Sequence, residues 1–349
     1  MKARLETEMF LSARCVTAVA AVLFSLASVC AAQSYHVADH WKLGGQGGWD
    51  YLLSDDGAHR LYVTHNARVE VVDTTTGKAV GAITGLKSTH GVALNPDGKT
   101  GYISDGAGNA IVVFDRADFS LRATVAAGTN PDGILFEPTT KTVWAFNGRS
   151  KDISVMDTAS NAIVATIPVP GKPEFPQADG AGAVFVNIED KNEIVKLDAA
   201  SRKAIATWPL TGCDSPSGMA IDTSKHRLFS VCDGGKMIVV DYTTGKLLGL
   251  AAIGDSPDAA GFDPKRRLAF SSNGGDGTLT IVEADKPGFP ALQTVKTAKG
   301  ARTMTLDAFT GRVYLVTAEF GPAPAPTADV PHPRPTVVPG SFEIIVVEP

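Results

Sequence analysis

The sequence predicts an all-β protein: a seven-bladed β-propeller of four-stranded antiparallel blades, closed by pairing the N-terminal strand with the C-terminal blade. Two observations predict it. Seven short apolar segments each end in an acid: Asp73, Asp115, Asp157, Asp198, Asp241 and Glu283 follow one another at 41–43 residues, and Glu348 comes 65 residues after Glu283. Periods of this size mark a repeat architecture. The chain's ends are also incomplete units of complementary type. Residues 36–42 read as a fourth strand and 342–347 as a third strand, so together they complete one blade and hide strand edges.

The elements follow from one unit. Residues 91–94 are a short apolar run, and 95–99 (Asn-Pro-Asp-Gly-Lys) carry hairpin chemistry. Residues 101–104 give a second strand and 105–109 a second turn. The β-branched run 111–114 is a third strand, and the more polar, alternating 121–125 a fourth. Second strands recur at 61–64, 143–146, 184–187, 228–231, 268–271 and 313–316. No segment sustains a 3.6-residue period, so almost no helix is expected. The long last interval holds an insertion, 321–340, with seven prolines. It should form an exposed loop between the second and third strands of the closing blade.

The first 32 residues read as an export signal. Lys2, Arg4 and Arg14 precede an Ala-rich apolar stretch at 16–29, and Cys30-Ala31-Ala32 offers a cleavage site before Gln33. Residues 33–349 then form a single propeller domain, periplasmic or secreted, with no membrane span once the signal is removed. A monomer is expected. Net charge is −5 and no run of five Lys or Arg occurs, which argues against nucleic acid as a partner. Cys213 and Cys232 remain after signal removal. One precedes an inner strand and the other follows the second strand of the same blade, so both lie on one face and a disulfide is expected.

Aligning the units on the second-strand aromatic brings out one further position, twelve residues earlier, at the start of each innermost strand. It holds Asp50, His90, Asp132, Ser217, Asp258 and Arg302, with Glu174 from the shorter fourth unit. All seven are polar and should gather at one mouth of the channel, where crowded charge shifts pKa values and attracts polar ligands or cations. Polar residues at such turns also serve simply to accept backbone N–H groups. Loops after the second strands add a secondary rim: His65, Asp105, Asn147, Arg149, Asp233 and Asn273, with Trp49 beside Asp50. The sequence requires no cofactor. A divalent metal is an option, with His65 and His90 as candidate ligands beside Asp50 or Asp132.

Residues 61–66 (Leu-Tyr-Val-Thr-His-Asn) and 69–78, with 95–99 and 153–158, resemble the YVTN-type β-propeller repeat of YncE-like exported bacterial proteins. The resemblance spans essentially the whole mature chain. It implies the propeller fold and a largely non-enzymatic family, whose wider relatives include surface-layer proteins, lactonases and haem d1-binding domains. It supplies no fixed catalytic motif. The signatures G-x-S-x-G, H-E-x-x-H, C-x-x-C and Walker A are missing from the sequence. The expected function is therefore a binding or scaffold propeller that holds a small polar ligand or protein partner at the mouth. The alternative is a lactonase-type hydrolase using the acids, His90 or Arg302 there.

Overall fold

The computed structural model describes residues 34–327 and 335–349. The segment read as an export signal lies outside the described residues, as do Pro331 and Pro333 of the insertion. Seven four-stranded antiparallel sheets are arranged in a ring, a β-propeller. Their inner strands are Trp49–Asp55, Thr89–Leu94, Pro131–Glu137, Pro173–Ala178, Asp214–Asp222, Pro257–Asp263 and Met304–Leu306, which we take as the start of blades one to seven. Each inner strand packs on the next, and the last packs on the first. Among the described residues the only helical pieces are two 3₁₀ turns, Asp56–Ala58 and Glu189–Lys191.

The seventh blade is built from both ends of the chain. His36–Lys42 is its outermost strand, paired from His36 opposite Glu348 to Lys42 opposite Glu343. The insertion leaves this blade between Val313–Thr317 and Glu343–Glu348.

The acids that set the sequence period have a local structural task. The Asp73 carboxylate accepts the N–H groups of Thr75 and Thr76 at 2.9 Å each; Asp115, Asp157, Asp198 and Asp241 cap their own turns similarly. Five of the third strands thus end on an Asx turn that reverses the chain into the fourth. These bonds favour the charged form, and hydrogen bonding from Thr75 holds Asp73 down at about 2.

Packing energy is concentrated between blades. Seven apolar clusters occupy the seven blade interfaces. Tyr62, Val69 and Val71 meet Ile103, Val112 and Phe114 between blades one and two. The two-ended blade is gripped on both sides. Leu315 and Ile345 pack with Phe270 and Ile281, whereas Tyr314 and Ile344 pack with Leu61 and Val63. Alternate side chains of one strand therefore serve opposite neighbours, as a pleated strand requires.

Candidate functional site at the channel mouth

A common distortion positions the mouth residues. Inner strands one to six each break register just after their first residues: between Trp49 and Leu52, Thr89 and Val92, Pro131 and Ile134, Pro173 and Pro176, Pro216 and Met219, and Pro257 and Ala259. A bulge bends the strand and re-aims a side chain. Asp50, His90, Asp132, Glu174, Ser217 and Asp258 all sit inside these bulges. Polar groups on the second strands complete the backbone bonding that the bulges leave open. Thr64 Oγ1 accepts from Asp50 N (3.1 Å) and donates to Tyr51 O (3.0 Å). Ser104 Oγ accepts from Gly91 N (2.8 Å), and Asn187 donates to Ser217 O (2.8 Å). Hydroxyls and amides inside otherwise apolar strands were the sequence signal for this support.

In blades two, three and five the residue after the mouth position is a glycine that lies against the next blade, with no room for a larger side chain. A Cβ on Gly133 would lie 2.6 Å from Pro176, and one on Gly218 would lie 2.5 Å from Ala259. Tyr51 and Phe175 occupy the same position in blades one and four. Their rings meet in the channel and divide it.

Above these rings lies a cavity of about 360 Å³, with walls from six blades. Its carboxylates are Asp50, Asp132, Glu174, Glu189, Asp233 and Asp258; its cations are Lys172 and Arg302. The Arg302 guanidinium is ion-paired with Asp258, stands 3.7 Å from Asp50, and donates to Trp49 O (3.0 Å). Lys172 bridges Glu174 and Glu189, 2.5 Å from each. His90 stands behind the wall, with Nδ1 2.6 Å from Asp50 and 3.6 Å from Asp132. Ser217 Oγ donates to Pro257 O (2.9 Å).

Six acids against two fixed cations leave the cavity short of positive charge, and burial makes the deficit costly. Burial, then the charge of Asp50, pushes Asp132 up to about 7. Burial and Asp132 push Glu174 up to about 9 against the pull of Lys172. Asp258 is raised by burial and by Asp50, although Arg302 opposes this. Burial disfavours charge on His90, but its hydrogen bond to Asp50 and the charges of Asp132 and Asp50 outweigh that and raise it.

The secondary rim divides. Asp233 lines the cavity. Asp105 instead accepts the N–H groups of Lys87 and Ser88, while Asn147 and Asn273 are buried and bond within their own blades. Arg149 is exposed and outside the cavity lining. His65 is 2% exposed, stacked on Phe342 at 4.0 Å and 3.5 Å from Glu70; it is not one of the cavity-lining residues. The ligating atoms that converge are those of Asp50, His90 and Asp132, all within 4.8 Å of one another. Cys213 and Cys232 form a disulfide at the same face, with Cα atoms 5.4 Å apart. Trp49 is largely buried against Phe342 and Phe320.

Lys172, Glu189 and Tyr51 were not singled out by the twelve-residue alignment. Glu189 lies four residues after Phe185, the spacing that also yields Asp233 after Phe229, and that offset was a usable signal. Lys172 precedes its strand and carries no periodic mark.

The fold and the mouth define a propeller with a polar cavity at its channel mouth. Among solved structures the chain is similar to Kuenenia stuttgartiensis hydrazine synthase, with TM-score 0.70 and 16% identity over 77% of this chain and 92% of that one. It is also similar to U3-55K, with TM-score 0.73 and 11% identity over 89% and 99%. At such identities the likeness is one of fold alone. No family model and no curated protein matches the chain. Among the described residues, no helix is long and apolar enough to cross a membrane.

Proposed function

We propose that this chain is an exported bacterial propeller of the YVTN type that acts as a binding or scaffold protein and holds a small polar ligand at its channel mouth. The carrying observation is the cavity at the channel mouth in which six carboxylates face two cations. That imbalance favours a ligand bearing positive charge. Pre-formed clefts and cavities of this size suit small molecules. The apolar stretch at 16–29 and the small residues before Gln33 support export, and the disulfide is compatible with an oxidising compartment.

The test is mass spectrometry of the protein purified from the exported fraction. A new N-terminus near Gln33 and a co-purifying small molecule, lost in Asp132→Asn and Glu174→Gln, support the reading. A bare protein that binds nothing in a screen of cationic and neutral polar compounds rejects it. A hydrolase of lactonase type is the second reading, favoured by a carboxylate held at about 7, the range of a general base. Lactone turnover abolished by Asp132→Asn would move the conclusion to that reading.

A further inference from the structure

We propose that the ligand of the mouth is an organic ammonium ion carrying an apolar group, its charged end at Asp132 and its apolar end in a second chamber between Trp49, Phe320 and Val337. The inference rests on the reading of the mouth as a ligand site and specifies the ligand's chemistry.

The charged end follows from which carboxylates already have partners. Arg302 serves Asp258 and Lys172 serves Glu174 and Glu189. Asp132 is different. It is 9% exposed and lines the cavity; its side chain receives no hydrogen bond, and its ion-pair contact is His90 Nδ1 at 3.6 Å. A buried carboxylate without donors is expensive, and an ammonium N–H supplies what it lacks. Tyr51 also lines the cavity. An aromatic side chain beside carboxylates suits an organic cation.

The apolar end follows from the insertion. Phe320 and Val337 pair across its base, and the Phe320 ring lies 5.9 Å from the ring of Trp49. They line an open chamber of about 280 Å³ with Gly48, Gly300 and Pro335, and Arg302 lines both this chamber and the acidic cavity. A bare metal ion would use the first chamber only. A molecule charged at one end and apolar at the other uses both.

Calorimetric titration of the full mature chain with methylammonium, benzylammonium, calcium and zinc chlorides tests this. Benzylammonium should bind at least about tenfold more tightly than methylammonium, a difference of about 1.4 kcal/mol. Phe320→Ala should remove most of that advantage, and Asp132→Asn should weaken both amines. Binding near neutral pH should release protons, read from titrations in two buffers of different ionisation enthalpy; this measurement needs no variant. Equal affinities for the two amines overturn the inference while the mouth remains a ligand site. Binding of calcium or zinc without either amine does the same and marks Asp50, His90 and Asp132 as metal ligands. If none of these compounds binds and the exported protein carries nothing at the mouth, the underlying reading fails too.

Discussion

Tyr51 and Phe175 meet edge to face with 4.8 Å between ring centroids, although they belong to blades one and four. The other blades place Gly91, Gly133, Gly218, Ala259 and Thr303 at the corresponding position. Two large rings thus fill the middle of a ring otherwise narrowed by small residues. They separate the acidic cavity from a more apolar one of about 560 Å³, lined by Leu52, Leu53, Val92, Leu94, Ile134 and Phe136. The Tyr51 hydroxyl faces Glu174 at 3.5 Å, so the partition also has a polar side.

Tyr51→Ala should join the two cavities. The side chain is almost fully buried, so a loss of about 3 kcal/mol is expected on denaturant unfolding. Tyr51→Phe keeps the ring and should cost much less. Equal losses for the two would show that ring packing is not what matters there.

Stability should fall as pH rises from about 5 towards 9. Asp132 and Glu174 have folded values of about 7 and 9, above their ordinary values of 3.8 and 4.5, so the folded state binds more protons across this window. Their contribution is complete below the ordinary carboxylate range and is lost as pH passes the folded values. His90, also raised, acts in the same direction. The capping acids such as Asp73 are held low and exert their effect below this window. Asp132→Asn should flatten the slope of unfolding free energy against pH. A slope unchanged in that variant would refute the assignment.

Removing the Cys213–Cys232 bridge should cost about 3 kcal/mol by the loop-entropy account, since the bridge spans 19 residues. The double Ser variant, compared with the oxidised chain by chemical denaturation, gives the number. Because Cys213 and Cys232 pack in the cluster between blades four and five, some of the loss will be apolar.

Deleting His36–Lys42 should expose the edge of Glu343–Glu348 and leave the last blade with three strands. Closure removes such edges, so the truncated protein should unfold at lower temperature and associate through the bared strand. Light scattering and thermal unfolding would check this; a monomer of unchanged stability would contradict it.

The architecture was legible because it is written in local chemistry that repeats. Capping acids, hairpin turns and β-branched third strands recur at one period, and the two partial ends complete one blade. The shared offset of the mouth positions was legible for the same reason, and six of the seven, all but His90, line the cavity. The roles of individual side chains were not legible. His65 lies three residues after its second-strand aromatic and Asp233 four, yet His65 is buried on Phe342 while Asp233 lines the cavity. Asp105, Asn147 and Asn273 look like rim ligands in the sequence and prove to be internal hydrogen-bonding groups.

By itself the sequence determined the number of blades, their strand order and, to within a few residues, where each inner strand begins, because those depend on neighbours along the chain. Only the tertiary structure decided that Lys172 bridges two acids, that Asp132 lacks a donor, and that Tyr51 reaches Phe175. The Tyr51–Phe175 contact joins blades far apart in the chain and depends on distances that ring closure sets, whereas the Lys172 bridge is made within blade four.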